Sequence, residues 1–166
     1  MNNTLFIAKR IAFVFLFGLL VQNSILAQDK EDKSAQIKRA IESQSYVFVA
    51  QTARPLTGSL RQLTTGYQLD VAKDTINSAL PYFGRAYTAP IDPTRGGINF
   101  TSTDFTYDVK NTKRGGWNIY IKPKGDPDTR EFLLNVTSSG YGDLQVLSNN
   151  RQAISFSGYI ATRSKK

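Results

Sequence analysis

The sequence predicts an all-β protein: an antiparallel, meandering β-barrel of about eight strands, preceded by a short N-terminal helix. Apolar and polar residues alternate over most of the chain after Tyr46, which is typical of half-buried strands. The connections between these segments are short and rich in turn-forming Asn and Gly. No connection after Gly96 is long enough for a crossover helix, so neighbouring strands there are expected to run antiparallel.

The strand segments follow from apolar residues at every second position. Tyr46 to Ala50 is apolar on both faces, which indicates a strand with one side under the helix. Between Ile98 and Val109 the apolar positions change from even to odd numbers, so we expect a bulge or sharp bend near Thr101 to Asp104. The remaining alternating sets are Tyr67, Leu69 and Val71; Ile76, Ser78, Leu80 and Tyr82; Trp117, Ile119 and Ile121; Phe132, Leu134 and Val136; Leu144 and Val146; and Ile154, Phe156, Gly158 and Ile160.

Two architectures accommodate about eight or nine such strands, an up-and-down barrel and a two-sheet sandwich. Turns at 113–116, 138–142 and 148–151 join consecutive strands without the long return connection of a Greek key. The barrel is therefore the preferred prediction.

The polar segment 28–45 contains Ile37, Ala40 and Ile41 at helical spacing. This pattern predicts a short amphipathic helix over 32–43, whose single apolar stripe can cover one end or edge of a sheet. The barrel domain is expected at 46–162, and residues 163–166 form a basic tail.

Residues 1–27 have the three parts of a secretory signal peptide. Lys9 and Arg10 precede the apolar run Ile11 to Val21, and a more polar stretch ends at Ala27. The run is shorter than the roughly 20 apolar residues that span a bilayer, which favours a signal over an uncleaved signal-anchor. Because Ile25 is not the small residue preferred near a cleavage site, the cut before Gln28 is less well defined than the signal.

The chain contains no cysteine. It therefore lacks the acylated cysteine of a bacterial lipoprotein, and no disulfide can support the fold. We expect a periplasmic or secreted protein without a stable membrane span after signal cleavage. Loss of Lys9 and Arg10 with the signal lowers the formal net charge from +8 to +6. The basic residues are scattered along the chain, so nucleic acid is not an expected partner.

Four segments have distinctive sequences: LPYFGRAY (Leu80 to Tyr87), GGINFTSTDFTY (Gly96 to Tyr107), GGWNIYIKPK (Gly115 to Lys124) and SNNRQAISFSGYI (Ser148 to Ile160). Together they resemble an exported Bacteroidetes family known only as domain of unknown function 4251. The resemblance covers roughly 46–160 and implies a periplasmic or surface location and a lipocalin-like barrel. It implies no activity and no catalytic residues.

The chain also contains no histidine, which excludes Ser-His-Asp and Cys-His catalysis and the usual zinc sites. No Ser-x-x-Lys motif is present, and the pairs Gly96-Gly97 and Gly115-Gly116 lack the spacing of a phosphate-binding loop. Asp126 to Thr129 is too short for an EF-hand and indicates a turn. The sequence therefore predicts no metal site and no cofactor.

A pair of carboxylates is the catalytic chemistry that this composition still allows, because a glycosidase needs only two. Asp104 is the most suggestive candidate since it lies at the expected bend, although an Asp in a bend often caps its own backbone. No catalytic residue is therefore predicted. The acids considered are Asp70, Asp104, Asp108, Glu131 and Asp143.

Tyrosine is the most informative remaining residue type, with eight copies in the chain. Its flat ring and polar tip suit sugars, peptides and small amphipathic ligands, although tyrosines are also ordinary strand residues. The segment from Tyr82 to Tyr87 places two tyrosines and an arginine around a glycine where a strand should end, so we expect it at the barrel rim. The candidate ligand-binding residues are Tyr82, Arg85, Tyr87, Asp104 and Arg151.

These observations lead to three functional hypotheses. The preferred one is a non-enzymatic periplasmic module that binds a small ligand, glycan or peptide in the mouth of the barrel. The alternative is an envelope structural or assembly protein that acts through a protein partner, and the third is a two-carboxylate hydrolase. A cavity of several hundred cubic ångströms lined by Tyr and Arg would favour the first hypothesis. A barrel filled by its own side chains, with a large exposed apolar patch, would favour the second. Two acids roughly 5–9.5 Å apart in a cleft would favour the third.

Overall fold

The computed structural model describes residues 33–64, 66–87 and 96–163. The predicted signal peptide, the polar residues before 33 and the last three residues of the basic tail lie outside these ranges. Within them, no helix has the length and apolar composition needed to cross a bilayer.

In this part of the chain a helix, α1 (33–42), precedes ten strands. The helix lies within the segment predicted at 32–43. The strands are β1 (Tyr46–Pro55), β2 (Arg61–Gln62), β3 (Gln68–Val71), β4 (Ile76–Pro81), β5 (Gly97–Ser102), β6 (Phe105–Asn111), β7 (Trp117–Pro123), β8 (Thr129–Val136), β9 (Tyr141–Ser148) and β10 (Ile154–Thr162).

All ten strands form one antiparallel sheet with the order β5-β4-β3-β1-β10-β9-β8-β7-β6, and β2 pairs separately with β1. The sheet curls into a nearly closed barrel of nine strands. Strands β1 and β10, the first and last in the chain, are paired with each other. This confirms the predicted all-β class, the antiparallel meander and the short helix. The additional strand, β2, is two exposed residues long and has no alternating pattern that the sequence could reveal.

The predicted bend near 101–104 is confirmed as a corner between β5 and β6. The Ser102 hydroxyl donates to the carbonyl oxygens of Asp104 at 2.8 Å and Lys124 at 3.0 Å. The Lys124 amide in turn donates to the Asp104 carbonyl at 2.8 Å. These bonds fix the corner to the β7–β8 turn. The two strands that meet at the corner, β5 and β6, are the edge strands of the sheet.

Side chains of the described residues fill the interior of the barrel. Phe100 on β5 stacks on Phe132 on β8, with ring centroids 6.0 Å apart, although these strands are not neighbours in the sheet. The predicted apolar stripe of α1 is buried in the same core. The largest fully buried side chains are Tyr46, Phe48, Phe132, Phe156, Ile41, Leu69, Ile76, Leu80, Ile119, Ile121, Leu134 and Leu144.

The helix lies at one end of the barrel, one of the two positions that its single apolar stripe predicted. Ile37 and Ile41 of α1 are buried together with the inward side chains of the strands. The Tyr107 hydroxyl donates to the Ile41 carbonyl at 3.1 Å, and Ile37 lies beside Gly140 of the β8–β9 turn, so the helix closes this end of the barrel. Val47 and Val49 on the outer face of β1 are half-buried.

Candidate functional site

The predicted rim segment, residues 82–87, begins where β4 ends and runs beside the β9–β10 turn. Ala86 forms an isolated antiparallel bridge with Arg151. The Tyr87 amide donates to the carbonyl oxygen of Asn150 at 2.7 Å. The segment is therefore tied by its backbone to the far end of the barrel from α1.

Tyr82 anchors this segment. Its hydroxyl lies 3.0 Å from the carbonyl oxygens of Arg85 and Gln152, to which it donates. A Cβ at Gly84 would lie 2.6 Å from the Tyr82 Oη, so the glycine lets the backbone pass close to the ring. Burial raises the pKa of Tyr82 above its usual value of 10.0, and Arg151 partly offsets this effect.

Arg151, in the β9–β10 turn, contacts three other segments of the chain at the rim. Its guanidinium donates to the Gly97 carbonyl at 3.0 Å and pairs with the Asp128 carboxylate at 2.8 Å. It also lies 5.3 Å above the ring of Tyr82. The side chain is only 9% exposed, so an anionic ligand would have to compete with Asp128 for this group.

The structure brings together four of the five residues predicted for the site. Tyr82 and Arg151 are in contact, and the exposed side chains of Arg85 and Tyr87 extend from the same rim. Asp104 lies instead at the β5–β6 corner, where its carboxylate pairs with Lys124 at 3.0 Å.

A groove beside this rim adds residues that the sequence interpretation did not select. We call it the rim groove and define it by Tyr67, Tyr82, Phe83, Gly97 and Asn99. Its volume is about 380 Å³. The three aromatic rings are half-buried, so each presents part of an apolar face to the groove.

Sequence reasoning missed two of these aromatic residues for identifiable reasons. Tyr67 belongs to an alternating set and was interpreted as an ordinary strand residue. Phe83 lies inside the rim segment, but the sequence pattern there singles out only the tyrosines and the arginine. The Arg61 guanidinium lies 4.6 Å above the Phe83 ring, a contact between residues too distant in sequence to be predicted.

The candidate carboxylates each have a cation or a hydroxyl beside them. Asp126 and Thr129, in the turn considered for calcium, form a local cap in which the Thr129 amide donates to the Asp126 carboxylate at 2.7 Å. Over the described ranges, no group of three or more acidic side chains converges as metal ligands would. The pairs are Asp70 with Arg163, Asp104 with Lys124 (3.0 Å), Asp108 with Lys110 (3.8 Å), Glu131 with Lys122 (3.7 Å) and Asp143 with Ser157 (2.7 Å).

The fold thus defines a small, nearly closed antiparallel barrel with a helix at one end and an aromatic groove at the other. The chain belongs to the family described as Domain of unknown function (DUF4251), whose model matches residues 28–160. This confirms the family that the four sequence segments resemble.

A solved structure shows the same fold. It is the crystal structure of a DUF4251 family protein from Bacteroides eggerthii DSM 20697, with a TM-score of 0.60 and 17% sequence identity. The match covers 78% of this chain and 87% of the other. The search of curated proteins gave no match.

Proposed function

We propose that this protein is an exported, non-enzymatic binding module that holds a small ligand, a glycan or peptide fragment, in the rim groove. The observation that carries the proposal is the position of the groove: a recess of about 380 Å³ lined by Tyr67, Tyr82 and Phe83, beside a barrel whose interior is filled. A ligand would therefore bind on the rim and not inside the barrel.

The chemistry of the groove suits a small amphipathic ligand. Its volume lies within the range of roughly 300–1,000 Å³ that is typical of small-molecule sites. Half-buried aromatic rings offer flat apolar surface without a large cost in side-chain entropy. Asn99 adds an amide that can donate and accept hydrogen bonds. The exposed Arg85 beside the groove would attract an anionic group on the ligand.

Export is part of the same proposal. The signal-like sequence of residues 1–27 and the absence of a lipoprotein cysteine support a periplasmic or secreted location. Cell fractionation with an antibody to the barrel would test it, since a protein retained in the cytoplasm would contradict the proposal.

A thermal-shift screen of the chain 28–166 against oligosaccharides, short peptides and amphipathic metabolites tests the binding site. A ligand at one hundred times its Kd stabilises a protein by about 2.7 kcal/mol, which raises the Tm of a domain of this size by roughly 5–10 °C. The shift should disappear in Phe83→Ala and persist in Lys73→Ala, which removes an exposed side chain from the β3–β4 turn at the other end of the barrel. A screen without any shift, or a shift unaffected by Phe83→Ala, would overturn the proposal.

The alternative, an envelope protein that acts through a protein partner, is favoured by a different observation. The edge strands β5 and β6 are not paired with each other, so their outer backbone groups could accept a strand from a partner. Mass spectrometry of material co-purified from the native periplasm distinguishes the two functions. A stoichiometric protein would support the alternative, and a small molecule lost in Phe83→Ala would support the rim groove.

A further inference from the structure

Two exposed tyrosines lie side by side at the other end of the barrel. Tyr141 on β9 is paired in register with Tyr159 on β10, and their side chains are 62% and 39% exposed. Directly opposed residues of neighbouring antiparallel strands have Cβ atoms about 4.5–5.5 Å apart. The two rings therefore form one aromatic surface on the outside of the barrel.

Grooves flank this surface on both sides of the β8–β9 turn. One, of about 280 Å³, is lined by Lys33, Gln51, Ser139 and both tyrosines. The other, of about 440 Å³, extends from Thr137 and Ser138 of the same turn to the β6–β7 turn. Ser138 lines one groove and the next residue, Ser139, lines the other. We call the strip formed by the two grooves and the tyrosines the tyrosine band.

A row of polar side chains crosses the second groove. Asn118 on β7 is in register with Asn135 on β8, which is in register with Asp143 on β9. All three line the groove. Asp143 accepts a hydrogen bond from the Ser157 hydroxyl at 2.7 Å. The row therefore offers amide donors and acceptors at regular intervals of about 5 Å beside the aromatic surface.

The band carries an excess of positive charge. Lys113 and Arg114 line the second groove, and neither forms an ion pair within the described part of the chain. Lys33 lines the first groove, while Asp143 is the single acid among the residues that line the two. A ligand with negative groups would be attracted to this strip.

We propose that the tyrosine band is a second binding site, separate from the rim groove, and that it takes an acidic oligosaccharide. The apolar faces of the sugar rings would stack on Tyr141 and Tyr159. The hydroxyl groups would hydrogen-bond to the amides of Asn118 and Asn135, and a carboxylate or sulfate would lie near Lys113 and Arg114.

The surroundings of the tyrosines favour a sugar over a protein partner. The central part of a protein interface is enriched in apolar side chains that exclude water. On β1, the half-buried Val49 is in register with Tyr159, whereas the other neighbours of the two rings, Gln51, Ser139 and Asp143, are exposed and polar. Flat aromatic rings among hydrogen-bonding groups match the alternating apolar faces and hydroxyl edges of a carbohydrate.

The test is calorimetric titration of the chain 28–166 with three probes: a uronic-acid oligosaccharide, a neutral oligosaccharide of the same length, and poly-glutamate of similar charge. We expect tightest binding of the uronic-acid oligosaccharide, weakened by increased salt because its charges are exposed. If poly-glutamate binds as tightly as the uronic-acid oligosaccharide, the surface attracts negative charge without recognising a sugar. If the neutral sugar binds as tightly, the cations of the band do not contribute to binding. Either result would overturn the proposal.

Variants separate stacking from charge. A double variant, Tyr141→Thr and Tyr159→Thr, retains residues that favour strands but removes both rings. It should weaken binding of the acidic oligosaccharide about tenfold, because the sugar rings lose their stacking surface. Lys113→Gln with Arg114→Gln should reduce the affinity for the acidic sugar to that of the neutral one. The controls Leu56→Ala and Lys73→Gln, at exposed positions outside the band, should change affinity less than twofold. Unchanged affinity in the tyrosine variant would contradict stacking, provided that its Tm equals that of the unmodified chain.

Discussion

The hydroxyl of Tyr46 on β1 lies 3.2 Å from the hydroxyl of Tyr107 on β6, although these strands are not neighbours in the sheet. Tyr107 also donates a hydrogen bond to the carbonyl of Ile41 in α1 at 3.1 Å. Because the Tyr107 proton is directed to Ile41, Tyr46 acts as the donor to Tyr107. This chain of hydrogen bonds links the helix, the first strand and an edge strand of the barrel.

Removal of the Tyr107 hydroxyl should destabilise the protein. Tyr107→Phe leaves the buried Tyr46 hydroxyl without its acceptor. It also removes one of two donors to the Ile41 carbonyl, which keeps its hydrogen bond from the Gln44 amide. We expect the free energy of unfolding at pH 7 to fall by about 1–2 kcal/mol in urea denaturation. Tyr120→Phe, on the outer face of β7, is the control and should change it by less than about 0.5 kcal/mol. Equal effects of the two substitutions would contradict a role for the hydrogen-bond chain.

The same two tyrosines should make the protein sensitive to alkaline pH. Burial raises the pKa of Tyr107 to about 12. Burial, followed by the interaction with Tyr107, raises the pKa of Tyr46 well above the usual 10.0. The folded protein therefore retains protons that the unfolded chain loses above pH 10. This stabilisation is complete below pH 10 and decreases as the pH approaches 12.

Urea denaturation measured between pH 8 and pH 12 would show this decrease, with a slope of at most about 1.4 kcal/mol per pH unit for each tyrosine. Tyr107→Phe removes one of the two groups, so its profile should be shallower above pH 10. Parallel profiles for the variant and the unmodified chain would show that Tyr107 does not contribute to the alkaline transition.

Local pattern was sufficient to predict the strands and the corner of the barrel. The alternation of Ile119 and Ile121 identifies β7, because a residue that points inward is followed by one that points outward. The change of phase between Ile98 and Val109 located the corner, since a strand cannot reverse its faces without an irregularity. Tyr107 was part of that pattern, but nothing local indicates that its hydroxyl reaches Tyr46.

The candidate site could be predicted only in part because its contacts join distant segments. The segment from Tyr82 to Tyr87 was expected where a strand ends, and it directly follows the end of β4 at Pro81. Arg151 was predicted as a ligand-binding residue, but nothing in the sequence indicated its ion pair with Asp128, 23 residues earlier in the chain. Phe83 and Tyr67 line a groove that exists only when the rim and the edge of the sheet meet.

Loss of the Arg151 guanidinium should destabilise the rim. Arg151→Met keeps much of the apolar stem but leaves the partly buried Asp128 carboxylate and the Gly97 carbonyl without this donor. We expect a loss of about 2 kcal/mol in the free energy of unfolding, because the Asp128 carboxylate loses a charge-assisted hydrogen bond while it keeps the one from the Asn150 amide. The matched control is Lys124→Met, whose pair with Asp104 is exposed and should contribute less than about 1 kcal/mol. Similar losses in both variants would contradict a special role for Arg151.

Gly158 on β10 allows the closest approach between the first and last strands. It is in register with Ala50, beside the irregularity between Ala50 and Thr52 in β1. A Cβ at position 158 would lie 1.9 Å from the carbonyl oxygen of Val49, a backbone atom held in the sheet. Gly158→Ala should therefore separate β1 from β10 and lower the free energy of unfolding by about 3 kcal/mol or more.

Gly96→Ala is the control, because no heavy atom lies within 4 Å of its added Cβ. Its effect on the free energy of unfolding should stay within about 0.5 kcal/mol. If Gly158→Ala unfolds at the same urea concentration as Gly96→Ala, the barrel can close without this contact between strands.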